Sequence, residues 1–229
     1  MSIIIKDDGT VDKFVGDAIF AYWNAPLPVE RYEHAACLSA LKCRVASEEL
    51  SAQWIAEGFQ PWHTRFGVHA GEAVVGNVGS SDRIDYTVIG DTVNIASRLE
   101  GLNKFYGTGV LASGPIVDKC ADEFLFRRVD RTLPKGAIRP LEIYELLGMF
   151  DGPEELRITP EDAKLVVDWS EFYQIYETHN WFDALDALEK FMFAYPDDGV
   201  AAVYLDRIMG FLIDPPEPDW DGIMRFDKK

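Results

Sequence analysis

The sequence predicts a mixed α/β sandwich followed by a small all-helical extension, and three observations carry that reading. Short apolar runs come in pairs joined by turn residues, which makes hairpins. Stretches with a 3.6-residue apolar period are interleaved with them, and helices mixed with hairpins point away from a purely parallel sheet. Beyond Gly148 the strand patterns stop and only helical ones remain. The 229 residues allow one domain of ordinary size with a smaller appendage, divided here as residues 1–148, a linker at 149–160 and a tail at 161–229.

Taken in order, Ile3, Ile4 and Ile5 form a buried-type run that reads as the end of an element with nothing before it to pack against. Residues 11–23 then read as two strands joined at Gly16-Asp17, a tight-hairpin signal that fixes Asp17 at the tip with Lys13 on the incoming strand. A carboxylate and an ammonium so placed can hold a divalent cation beside an anionic substrate, because hard cations take oxygen ligands. Residues 24–28 form a turn with two prolines, and residues 30–57 an amphipathic helix on Ala35, Leu38, Leu41, Val45 and Trp54. Residues 66–70 and 73–78 flank Gly71-Glu72, a second expected hairpin, where glycines inside the strands mark close approach of another chain segment or a ligand. His69 reads as a packed strand histidine, since no second His or Cys stands at metal-site spacing.

Residues 85–90 are β-rich, and the helix after them is expected to take Asp91 or Thr92 as its N-cap, with Ile95, Leu99 and Leu102 as its apolar face. Asn94 and Arg98 stand four apart and share one face of its opening turns, where free N–H groups and the helix dipole favour anions. Strands at 110–112, 124–129 and 141–146, a short helix at 115–121 and a turn at Lys135-Gly136 complete the first part, with Lys135 able to reach a phosphate. In the tail, aromatic and apolar residues from Trp169 to Tyr195 give an antiparallel helical pair with a third helix following, spaced like one degenerate tetratricopeptide-type unit. One such unit is too small to stand alone, so it packs on the first part or completes a partner's surface. Residues 214–222, with three prolines, are expected to be extended.

The net charge of −17 argues against a nucleic-acid backbone or an anionic membrane surface as partner. No run approaches the ~18 apolar residues of a membrane span. Cys37, Cys43 and Cys120 form no CxxC pair, which fits a reduced cytoplasmic setting.

Four motifs in order, at residues 12–18, 23–26, 67–71 and 86–100, resemble the class III adenylate/guanylate cyclase catalytic domain over about residues 1–148. The resemblance implies a ferredoxin-like α/β fold, a head-to-tail homodimer and a substrate bound across its interface. It implies that Asp17 is one of two metal-binding aspartates for Mg²⁺ or Mn²⁺, two ions per site in the complete domain. Lys13 and Thr87 fall at the positions that read the purine, Asn94 and Arg98 at those of the transition-state pair, and Lys135 at that of a triphosphate-binding lysine in a motif that departs from the usual one. A Lys/Thr pair is similar to the adenine-selecting type, so the implied reaction is ATP to 3′,5′-cyclic AMP and pyrophosphate. A guanylate cyclase and an inactive nucleotide-binding or dimerisation module are the alternatives. The family's other metal aspartate lies on a strand upstream of the sixteen residues that precede Asp17, so the expectation is a piece of a longer cyclase that turns over poorly alone. The helical tail is similar to one that follows the cyclase domain in bacterial members with membrane spans upstream.

Overall fold

The computed structural model describes residues 1–82, 84–133, 139–217 and 219–226. In chain order, α1 (Ser2–Lys6) leads into β1 (Thr10–Val15) and β2 (Ala18–Tyr22), and α2 (Tyr32–Ala56) follows. Next come β3 (Phe66–Val68), β4 (Val74–Gly79), β5 (Ile84–Ile89), α3 (Asp91–Tyr106), β6 (Val110–Ser113) and α4 (Gly114–Cys120). The long strands β7 (Phe124–Leu133) and β8 (Leu141–Met149) precede a 3-10 turn at Glu154–Leu156. Helices α5 (Pro160–Tyr176), α6 (Trp181–Ala194) and α7 (Gly199–Ile213) and a short β9 (Met224–Arg225) complete the chain.

The main sheet has the order β3-β6-β8-β7-β9, with β3 parallel to β6, β9 parallel to β7, and β8 antiparallel to both its neighbours. Strand β6 is buried along its whole length because both faces of the sheet are covered there. Successive residues of β6 alternate between two cores: Val110 and Ala112 pack with Cys37 and Leu41 of α2 and Ile116 of α4, while Leu111 packs with α3 and the C-terminal helices. The second core joins Leu99 and Tyr106 of α3 and Val129 and Ile143 of the sheet to Trp169, Phe172, Tyr176, Leu188 and Tyr204. The helices thus share one core with the sheet instead of standing off it. Each begins on a side-chain cap, with Thr159 accepting from the Asp162 N–H, Asn180 from Asp183 and Asp198 from Ala201.

Three local expectations are corrected. The isoleucine run at 3–5 is helical, with Ile4 buried and Ile5 exposed. Its β propensity yields because the short helix is tied to α2 by Asp7, which accepts from Ser39 at 2.9 Å and Lys42 at 2.5 Å. Gly71-Glu72 is not a hairpin turn: β3 pairs with β6, and β4 pairs with β5. A partner 44 residues away wins because the backbone of β3 is already fixed against α3, as described below. Neither Asp91 nor Thr92 caps α3; Gly90 is the N-cap, and the Thr92 hydroxyl donates to the Glu72 carbonyl at 2.6 Å, tying the 69–73 loop to the helix.

Candidate active site

The predicted hairpin at Gly16-Asp17 forms, with Gly16 at φ +64°. Only its turn is simple. Between Val11 and Lys13 the register against β2 shifts, so Asp12 is an extra residue in the strand. A bulge of this kind re-aims side chains, and here it turns Asp12 towards β5. Thr87 on β5, which is buried, donates its hydroxyl to Asp12 Oδ2 at 2.6 Å. Lys13 Nζ lies 3.7 Å from the same carboxylate oxygen and remains about half exposed. Lys13 and Thr87 are therefore brought together, and Asp12, which sequence reading assigned no role of its own, is the residue that joins them. Tyr22 on β2 was also missed. Its hydroxyl is shielded and without a hydrogen-bond partner among the described residues, and burial, followed by the nearby Tyr86 and Asp12, pushes its pKa up. The adjacent opposite charges Asp12-Lys13 in a strand were the one signal in the sequence.

Asn94 and Arg98 lie on α3, whose position is set from below. A Cβ on Gly67 of β3 would come within 2.2 Å of the Ala96 carbonyl oxygen and 2.4 Å of the Glu100 nitrogen, so only glycine lets β3 run directly under the turn that carries Arg98. Asn103, fully buried, donates its amide to the Phe66 and Leu99 carbonyls, each at 2.9 Å. So anchored, α3 presents Asn94 to solvent and holds Arg98 half-buried, with Arg98 Nη1 shielded and unpartnered among the described residues. A guanidinium N–H that has left water without finding an acceptor is costly unless an anion supplies one.

Asp17 sits exposed on the hairpin turn, with no ion pair or hydrogen bond among the described residues. Among the described residues no three His, Cys, Asp or Glu side chains form a metal-binding group. A single free carboxylate fits one hard cation that arrives with a polyphosphate, and does not fit a two-ion site built from this chain alone. Lys135 and its turn lie outside the described residues. His69 is packed as expected: its Nδ1 is 2.7 Å from Ser113 Oγ, and burial lowers its pKa, against a smaller upward pull from Asp91.

Around these groups two hairpins expose large apolar side chains: Phe14, Val15 and Ile19 on the first, Val74, Ile84, Tyr86 and Ile89 on the second. An isolated two-stranded ribbon is marginal in water, and none of the described residues covers these side chains.

The described arrangement has counterparts. Residues 4–132, more than half of the chain, match the adenylate and guanylate cyclase catalytic domain. The chain belongs to that family. It is 46% identical over 147 residues to adenylate cyclase 1 of Rhizobium meliloti, and 38% identical over 141 residues to an adenylate cyclase of Anabaena cylindrica. These alignments take in 64% and 60% of this chain but only 22% and 28% of the relatives, so the chain spans about a quarter of their length. The crystal structure of the guanylyl cyclase Cya2 superposes with a TM-score of 0.61 at 29% identity, over 69% of this chain and 79% of that one. The adenylyl cyclase CyaB from P. aeruginosa does so with a TM-score of 0.57 at 31% identity, over 68% and 78%. The cyclase fold is thus shared with enzymes named for either purine. Among the described residues no helix is long and apolar enough to cross a membrane.

Proposed function

We propose that this cyclase domain acts on ATP, forming 3′,5′-cyclic AMP and pyrophosphate for intracellular signalling as a head-to-tail homodimer. The observation that carries the choice of base is the hydrogen bond from Thr87 to Asp12 beside Lys13. A hydroxyl has one proton, and a carboxylate can only accept, so that proton is committed and Thr87 offers a ligand only lone pairs. An acceptor there suits the exocyclic amino group of adenine, while the Lys13 ammonium donates to the adjacent ring nitrogen. Guanine presents an oxygen acceptor and an N–H at those places, which matches neither.

In the reaction the ribose 3′-oxygen attacks the α-phosphorus in line, the bond to the bridging oxygen of the β-phosphate breaks, and pyrophosphate leaves. Arg98, whose Nη1 finds no acceptor among the described residues, and Asn94, one turn before it, donate to the charge that builds on the transferring phosphoryl group. Their place in the opening turns of α3 adds the helix's own N–H groups and dipole to that field. A cation held by Asp17 would neutralise the leaving pyrophosphate and ease loss of the 3′ proton. Because the described residues form no group of three metal-ligating side chains, these 229 residues are expected to bind nucleotide better than they turn it over. The exposed apolar hairpins support a second copy as the partner, and their closeness to Lys13 and Asp17 supports a site shared between copies.

Competition of ATP and GTP for a fluorescent ATP analogue tests the base assignment without requiring turnover. ATP is expected to bind more tightly, and Lys13→Glu to move the ratio towards GTP by about ten-fold or more, as loss of a buried hydrogen-bond match costs ~1–3 kcal/mol. Equal affinities that K13E leaves unchanged would refute the adenine reading. Should ATP bind well while added Mn²⁺ yields no cyclic AMP even in a chain extended upstream, the nucleotide-binding module is the better description.

A further inference from the structure

The C-terminal helices touch the sheet through groups that are unusually polar for a core. Arg207 of α7 reaches Asp130 of β7, Nη2 to Oδ2 at 2.5 Å, and both side chains are almost fully buried. The same Asp130 oxygen accepts the Tyr106 hydroxyl at 2.6 Å, and Arg207 Nη1 donates to the Tyr176 hydroxyl at 3.3 Å. Burial, then the Asp130 charge, pushes the Tyr106 hydroxyl well up, so it stays a donor. At the other end of this contact Asp198, the cap of α7, pairs at 2.5 Å with Arg127, which also holds Glu145.

Tyr106 is the last residue of α3, the helix that carries Asn94 and Arg98. The backbone of α7 meets it directly. A Cβ at Gly199 would lie 2.6 Å from the Tyr106 carbonyl oxygen and 2.9 Å from Gly107 Cα. Eight residues of helix separate Tyr106 from Arg98, about 12 Å at 1.5 Å per residue. Gly67 and Asn103 fix the middle of α3, and the C-terminal helices fix its end. A packed apolar pair would dock the helices as firmly as a buried ion pair, whereas the Tyr106–Asp130–Arg207 geometry specifies one position.

We propose that Arg207, Asp130 and Tyr106, with the Gly199–Gly107 contact, are positioning elements for the nucleotide site: the C-terminal helices set the seat of α3 and hence where Arg98 and Asn94 meet the phosphates. This inference rests on the reading of Arg98 given above. Coupling between two sites is reciprocal, so nucleotide held by Arg98 tightens the docking of α7 by the same factor by which docking tightens nucleotide.

Removing Arg207 would strand Asp130, so gentler changes in the full chain make the test. Gly199→Ala suits the helical backbone and wedges α7 away from Tyr106; Tyr106→Phe keeps the ring and removes one bond to Asp130. Leu188→Ala, fully buried in α6, which packs on α5 and α7, destabilises the tail from a helix other than the one that meets Tyr106. Dissociation constants for a fluorescent ATP analogue are compared with urea midpoints. G199A is expected to weaken binding about ten-fold and Y106F about three-fold, while L188A lowers the midpoint at least as far and leaves affinity within two-fold. ATP should slow proteolysis of the tail in the parent chain and lose most of that effect in G199A. Arg98→Ala is the reference. If R98A binds weakly but G199A binds like the parent, or if L188A weakens binding as much as G199A, the positioning role is overturned. If R98A itself binds like the parent, Arg98 does not hold the bound phosphates and this inference falls, while the transition-state role of Arg98 is judged separately by turnover.

Discussion

Thr87 gains its chemical character from a neighbour that is 75 positions away in sequence. A threonine in water donates and accepts; one whose proton is held by a buried carboxylate only accepts. The same dependence on surroundings applies to His69. Burial depresses its pKa below the ordinary 6.5, so between those two values the unfolded chain binds a proton that the folded chain does not. Its contribution to stability is then complete above pH 6.5 and is lost as pH falls from there towards the folded value. Urea midpoints are expected to decline between pH 7.5 and 5.5, and more shallowly in His69→Asn. An identical slope in the two proteins would mean that other groups carry the acid sensitivity, His34 being one whose pKa burial also lowers. The residue types at 13, 17, 87, 94 and 98 were legible in the sequence because their motifs are local. The roles of Asp12 and Tyr22 were not, because the adjacent charges Asp12-Lys13 do not reveal a bulge, and a solvent-shielded hydroxyl leaves no local signature.

At the scale of the elements, α3 is held by a strand that the sequence paired with the wrong neighbour. Reading 66–78 as a hairpin followed the local rule that adjacent apolar runs pair, and it failed because β3 lies against α3 and β6. The glycines in that stretch were a better guide than the pairing. Gly67 does mark a close approach, of backbone to backbone. Gly67→Ala would force β3 and α3 apart, at a cost of ~1–3 kcal/mol for a small overpacking and more if the backbone resists. The expected result is a lower unfolding midpoint together with weaker binding of the ATP analogue, since the turn that moves is the one bearing Arg98. A fall in midpoint with unaltered affinity would show that the seat of α3 tolerates the shift.

On the scale of the whole molecule, the exposed apolar hairpins and the strong negative charge oppose one another, because −17 disfavours bringing copies together while Phe14, Val15 and Ile89 favour it. Apolar burial acts at contact and charge repulsion is screened within about 10 Å at 0.1 M salt, so dimerisation is expected to strengthen with added salt. Sedimentation should detect a dimer that Phe14→Asp or Ile89→Asp reduces to monomer with little effect on the urea midpoint of the monomer. A parent chain that remains monomeric at the highest salt would argue against the shared site.

By itself the sequence determined the α/β class, the helical extension, the family and the residue types of the candidate site, since period, turn chemistry and contiguous motifs are properties of nearby residues. Only the tertiary structure decided that Asp12 takes the Thr87 proton, that β3 runs beneath Arg98, and that the tail closes on the far end of α3. Those three depend on which distant surfaces bury one another, and burial is a property of the assembled chain.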